Sequence, residues 1–292
     1  MAKLVQVERE RLRRDLEAIV GERSPFSGQQ HLAAVESFVE SEFRNARLVV
    51  ENDFFTYGGT SFRNVIGRLG SQQNDPLIVL GAHIDSVEDT PGADDNASGV
   101  AVLLECARIL SQIEMRAQVL FCAFNLEELD MIGSTAFARK FKTAGTRVDA
   151  MISLEMVGYT DARPGSQQFP VGLGRFYPDR GDFIGVVGNW KSNAVLRKFA
   201  GGMREVSALP VEILSVPGKG MVIPAVRLSD HSPFWDLGYR ALMVTDTSFY
   251  RNPHYHGATD TIDTLDLDFV TKVCEGVVRG VFALTEESAQ AR

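Results

Sequence analysis

Residues 77–99 read LIVLGAHIDSVEDTPGADDNASG. Leu77 to Leu80 is continuously apolar, the pattern of a strand buried on both faces of a parallel sheet. It runs into Gly81-Ala82-His83-Ile84-Asp85-Ser86, and Gly92 to Gly99 then opens a helical pattern from Ala97 to Ile113. The same succession recurs along the chain. Val119 to Phe124 repeats the strand signal and Gly133 to Phe141 the helix signal. Ala150 to Leu154, Phe183 to Val187 and Ala241 to Thr245 are further strands, with helices at about 190–206 and 266–287. Strands alternating with helices predict a three-layer α/β domain, a mostly parallel central sheet with helices on both faces.

Toward the N-terminus the pattern changes. Met1 to Val20 reads as an amphipathic helix, Ser24 to Gln30 as a polar loop, and a second helix extends to about Asn45. Residues 46–70 alternate apolar and polar around Tyr57-Gly58-Gly59-Thr60, which predicts a two-stranded hairpin with a Gly-Gly turn. Two stretches, Thr160 to Asp182 and Leu209 to His231, carry no clear period. Loops of that length are usually functional, and Phe169, Phe176 and Tyr177 favour walls of a site. The chain has no internal repeat and no low-complexity tract.

The bulk numbers narrow the function. A chain of 292 residues, 45% hydrophobic and 23% charged, fits one large α/β domain, here residues 1–292 with N-terminal helices over about 1–45. The net charge of −8 argues against nucleic acid or an anionic membrane surface as partner, because phosphate neutralisation needs a basic face. A peptide or small substrate fits better; oligomeric state is left open. Cys106, Cys122 and Cys274 stand far apart inside apolar stretches without C-x-x-C spacing, so they read as core residues. The N-terminal segment lacks an apolar h-region, and no apolar run reaches the roughly 18 residues that span a bilayer. A cytoplasmic protein is expected, although a chain trimmed of an export signal would read the same.

Open parallel sheets bind ligands at the carboxyl ends of their strands. At four such ends stand residue types that ligate metals: His83 with Asp95 beyond it, Glu127-Glu128, Glu155, and His254-Tyr255-His256. Asp94, Asp95 and Asn96 are also good helix N-caps, and a helix N-terminus additionally stabilises an ionised carboxylate. Asp95, Glu128 and Glu155 bring three negative charges; with one hydroxide they neutralise two divalent ions, leaving His83 and His256 as one neutral nitrogen for each. Mixed His and carboxylate ligation with an open position suits catalytic zinc. Adjacent acids on irregular backbone point apart, so we assign Glu128 as ligand and Glu127 as general base; the bland reading is an acidic turn before a helix. Asp85, two residues after His83, is placed to accept its second ring N–H. Arg227, Asp230 and His231 are either site residues or a capped loop. His31 reads as a surface residue, and His254 stands outside the ligand set.

The motifs Gly-Ala-His83-Ile-Asp85-Ser, Gly-Ala-Asp-Asp95-Asn-Ala-Ser-Gly, Glu127-Glu128 before Ile-Gly-Ser, Leu-Glu155-Met and Tyr255-His256-x-x-x-Asp260-Thr resemble the co-catalytic di-zinc aminopeptidases, relatives of glutamate carboxypeptidases and glutaminyl cyclases. The resemblance covers roughly residues 60–270. It implies the zinc-exopeptidase fold and two zinc ions per chain. Asp95 would bridge them, Glu128 and His256 completing one site and His83 and Glu155 the other. It also implies a strained or cis peptide between Asp95 and Asn96, and Tyr255 as donor to the developing oxyanion; Tyr255 as a packing aromatic is the alternative. Many members place Asp where this chain has Glu155, so the extra methylene must shift either the metal or the strand end. The function expected is a metallo-exopeptidase that removes the N-terminal residue of peptides. Alternatives are a carboxypeptidase or other amidohydrolase on the same metals, a glutaminyl cyclase, or a non-catalytic binding homologue.

Overall fold

Strand alternation sets up both faces of the core. The strand β3 (Leu77–His83) sends Ile78, Leu80 and Ala82 to one face and Leu77 and Val79 to the other. In β4 (Gln118–Phe124), Val119, Phe121 and Ala123 part from Leu120, Cys122 and Phe124 in the same way. On the first face lie five helices: α1 (Arg9–Ile19), α2 (Gln29–Asn45), α3 (Gly99–Leu110), α5 (Asn193–Met203) and α7 (Leu267–Glu286). On the second lie α4 (Ile132–Thr143) and α6 (His231–Asp236). This computed structural model describes residues 6–70 and 75–286, so the first five residues of the predicted N-terminal helix lie outside the described part.

The remaining strands are β1 (Val49–Tyr57), β2 (Thr60–Leu69), β5 (Ala150–Glu155), β6 (Ile184–Asn189), β7 (Val211–Val216) and β8 (Ala241–Thr245). Eight strands form one mixed sheet in the order β1-β2-β4-β3-β5-β8-β6-β7. The four central strands β4, β3, β5 and β8 are mutually parallel. Their carboxyl ends therefore share one rim, and every predicted ligand follows from that rim. The predicted hairpin is β1–β2, closed by Gly58 and Gly59 at φ +57° and +83°, values that a two-residue turn of this hand requires.

Two features depart from the sequence reading. The sheet reverses at β6, which pairs antiparallel to β8. With the hairpin's own antiparallel pairings, four of the seven strand pairings are parallel. Second, the unassigned stretch 209–231 contains the edge strand β7 and the first residue of α6. Glu212 and Ser215 interrupt the apolar run of β7, and the six residues of α6 are too few to show a helical period.

The N-terminal helices are held by charge as well as by apolar contact. Arg108 on α3, largely buried, pairs with Asp15 of α1, Glu42 of α2 and Glu105 of its own helix. Glu105, fully buried, also pairs with Arg11 at 2.7 Å. All three cysteines are buried and free, as predicted for core residues, but two of them meet: Cys106 on α3 and Cys274 on α7 have sulfurs 4.0 Å apart. His31 is half-buried rather than exposed, its Nε2 3.0 Å from the Ile19 carbonyl at the end of α1. Among the described residues no helix is long and apolar enough to cross a membrane.

Candidate metal centre

His83 is the last residue of β3 and Glu155 the last of β5, neighbouring parallel strands. Asp95 lies in the irregular turn Ala93–Ser98 that precedes α3, and Glu127-Glu128 follow β4. His256 arrives from the loop after β8. These five side chains form two donor groups that share Asp95. In one, His83 Nε2 lies 3.2 Å from Asp95 Oδ1 and 3.4 Å from Glu155 Oε1. In the other, His256 Nε2 lies 3.1 Å from Asp95 Oδ2 and 3.3 Å from Glu128 Oε2.

The spacing tests the fit to a metal. Ligand atoms about 2.0–2.1 Å from a tetrahedral zinc stand about 3.3 Å from one another. All four distances fall within 0.2 Å of that value, and Asp95 presents a different oxygen to each group. His83 Nε2, Glu128 Oε1 and Glu155 Oε2 are buried without a hydrogen-bond partner, as donors awaiting a cation would be. The donor set fits two zinc-type ions. Glu155, with its extra methylene, still reaches the His83 group.

Without a cation the cluster is electrostatically frustrated. Burial and the charge of Asp95 push the Glu128 carboxyl up to about 7. Burial also pushes Glu127 well above the carboxylate range, with Glu155 and Glu128 adding to the effect. Burial would raise Asp95 too, but hydrogen bonds from His256 and His83 hold it below its ordinary value. For His256 the loss of hydration is outweighed by Asp95 and Glu128, which push the imidazole up to about 10.

Two carboxylates outside the ligand set shape its backbone. Asp85 accepts the amides of Glu127 and Glu128, at 3.0 and 3.1 Å. His83 Nδ1 lies nearer the Asp85 carbonyl, 3.2 Å, than its carboxylate, 3.6 Å, so the ring partner expected of Asp85 is chiefly its main chain. Asp260 accepts the amides of Asp94 and Asp95, at 2.9 and 3.1 Å. The Asp95–Asn96 peptide is cis. Asn96 bonds Leu154, Met156 and Gly99, while Asp94 bonds Gly158, Ser98 and Asn252, so these residues tie the turn to the end of β5 beyond any capping role. Leu126, Met156 and His256, each in or beside the ligand set, take positive φ of 59°, 48° and 54°. Such backbone costs of order 1–3 kcal/mol per residue and clusters at functional sites.

Arg23 was not singled out in the sequence. It is fully buried beneath the site, and its guanidinium donates to the carbonyls of Ile84, Ile19, Gly21, Pro91 and Gly92. Those acceptors come from the end of α1 and from the segments on either side of Asp85, and backbone oxygens carry no sequence signal. Asp230 is buried with both oxygens unpartnered, and burial pushes it up to about 7. Arg227 turns away to Asp236, His231 contacts the Val226 carbonyl, and His254 contacts Thr259.

A cavity of about 320 Å³ opens beside the two donor groups. Glu127, Glu128, Asp95, Glu155 and Tyr255 line it at one end, and it extends over β8, β6 and β7. The loop 160–182 supplies one wall through Phe169 and Tyr177, whose rings stack at 5.6 Å; Phe176 points outward instead. Tyr255 stacks on the His256 ring at 3.7 Å.

The sequence profile described as peptidase family M28 matches residues 64–281. YfbL of Escherichia coli K12, an uncharacterised protein, is 39% identical over 257 residues, 83% of this chain and 76% of that protein. A probable zinc metalloprotease of Pyrenophora teres f. teres is 32% identical over 193 residues, 56% of this chain, and the match spans 42% of the fungal protein. Among solved structures, the LapA aminopeptidase of Legionella pneumophila shares the fold, with a TM-score of 0.77 at 20% identity over 97% of this chain and 74% of LapA.

Proposed function

This chain belongs to peptidase family M28, and on that premise we propose that it is a zinc-dependent aminopeptidase that hydrolyses the N-terminal peptide bond of peptides. The observation that carries the choice of terminus is the charge of the cavity. Among the described residues, six carboxylates line it, Asp95, Glu127, Glu128, Asp130, Glu155 and Glu212, with no Lys or Arg. A free α-ammonium is attracted to such a wall. The terminal carboxylate of a carboxypeptidase substrate meets no Lys or Arg side chain there, while Glu127, Asp130 and Glu212, outside the donor groups, repel it.

His83, Asp95 and Glu155 would hold one zinc ion, and Asp95, Glu128 and His256 the other. Zinc bound there supplies Lewis-acid polarisation of the scissile carbonyl and acidifies water. The carboxylates not saturated by ligation hold the substrate amine and so fix the first peptide bond beside Glu127. Glu127 takes the proton of the attacking water and returns it to the leaving amine. Burial keeps this carboxylate unusually basic, which suits a group that must hold a proton between those two events. Asp85 positions Glu127 by gripping its amide. Tyr255 donates its phenol O–H to the oxygen that becomes anionic; burial and the charges of Asp95 and Glu128 raise its pKa, so the donor proton is retained. Two complete donor groups support this reading over a one-zinc glutaminyl cyclase or a binding homologue.

The test is the initial rate on aminoacyl anilides, N-blocked peptides and C-terminal-glutamate peptides, before chelation, after it and after zinc is restored. Zinc-dependent cleavage of the free-amine substrates alone is expected. Cleavage of only the blocked peptides would refute the assignment.

A further inference from the structure

The pairing register lays a straight row of residues from the donor groups to the far end of the cavity. Glu155 pairs with Thr245, Thr245 with Gly185, and Gly185 with Glu212. Directly paired residues share a face, and it is the α4/α6 face, because Met151, Met243, Val187 and Leu214, which pack there, stand two or four residues from these four along their strands. Glu155 and Glu212 thus stand on one face at one level, three strand spacings or about 14 Å apart. Thr245, Gly185 and Glu212 all line the cavity. Gly185 leaves the floor open: a Cβ there would meet nothing closer than the Thr245 carbonyl at 3.3 Å.

The walls of this lane are apolar, formed by Phe169, Leu173, Tyr177, Leu214 and Phe249. Its end is not. Glu212 is half-buried, and among the described residues no Lys, Arg or His forms an ion pair with it. Tyr177 fixes the wall beside it by donating its hydroxyl to the Ile213 carbonyl. An apolar lane ending in an uncompensated carboxylate matches a side chain with an aliphatic stem and a cationic tip.

We propose that the lane is the subsite for the first substrate residue and that Glu212 selects lysine or arginine there; the proposal rests on the aminopeptidase reading. The reach agrees. An extended lysine stem covers about 6 Å at about 1.25 Å per bond and a charge-assisted contact adds about 3 Å, so a substrate residue whose Cα stands about 5 Å along the row from Glu155 brings its ammonium over Glu212. A leucine side chain stops above Gly185 and leaves Glu212 unengaged. Phe169 and Tyr177 line the cavity beside that path.

The experiment compares kcat/KM on lysyl, arginyl, norleucyl and leucyl anilides for the zinc-loaded protein and for Glu212→Gln and Glu212→Lys. Norleucine has the lysine stem without its charge, so the lysine-to-norleucine ratio isolates the tip. Wild type is expected to favour lysine by about 10- to 100-fold, the scale of one bond to a charged group. In Glu212→Gln the ratio should fall to about one through KM, and in Glu212→Lys it should invert. Norleucine cleaved as well as lysine by wild type, or a ratio unchanged in Glu212→Gln, would overturn the subsite while leaving the aminopeptidase intact. Failure on every free-amine anilide would overturn both.

Discussion

Replacing Asp85 with Asn tests whether one buried carboxylate aligns the catalytic pair. Asp85 is completely buried and spends one oxygen on each of two successive amides, Glu127 N at 3.0 Å and Glu128 N at 3.1 Å. Asn keeps the shape but offers one acceptor. Whichever way it turns, its NH2 faces an amide N–H. The loss is one charge-assisted bond, about 1.5–3 kcal/mol, plus a buried unsatisfied donor, about 1–3 kcal/mol, together about 2.5–6 kcal/mol. In urea at about 3 kcal/mol per molar, the midpoint should fall by about 0.8–2 M. If the amides shift by about 1 Å, Glu127 moves with them and turnover at saturating zinc should fall about 10²-fold. A midpoint shift under about 0.3 M, or about 1 kcal/mol, with normal turnover would refute the alignment.

Glu127→Gln should retain zinc at the wild-type stoichiometry yet lose several orders of magnitude in kcat; near-normal turnover would remove Glu127 from the proton transfer. Zinc must displace a proton from His256, raised to about 10, and below about pH 7 a second from Glu128, raised to about 7. Apparent affinity, read by competition with a coloured chelator, should then rise with pH at a slope of about two decades per unit below 7 and about one above. A pH-independent affinity would contradict those shifts. Arg108→Ala should destabilise the fold by about 3–5 kcal/mol in urea, because it strands the buried carboxylate of Asp15 and leaves buried Glu105 with Arg11 alone. A loss under about 1 kcal/mol would show that the pairs contribute no more than surface ones.

Much of the architecture was legible because its signals are local. Apolar runs bounded by turns located β3, β4, β5, β6 and β8 to within a few residues, and Gly58-Gly59 located the hairpin. The misses have two causes, weak local signal where burial is partial and pairing that no single strand encodes. Glu212 and Ser215 hid β7, and the reversal at β6 is a matter of partners, which a strand's own sequence does not encode.

The sequence by itself picked out the five side chains that form the two donor groups. Each predicted ligand follows a strong strand, and a strand's carboxyl end points its next residues toward a common rim. Only the tertiary structure decided the rest. The division of Asp95 between two histidines, the grip of Asp85 and Asp260 on neighbouring amides, and Arg23 beneath the site join residues far apart in the chain, in part through backbone atoms that every residue shares. The row from Glu155 to Glu212 exists because β8 and β6 stand between β5 and β7, and strand order is set by packing across the whole core.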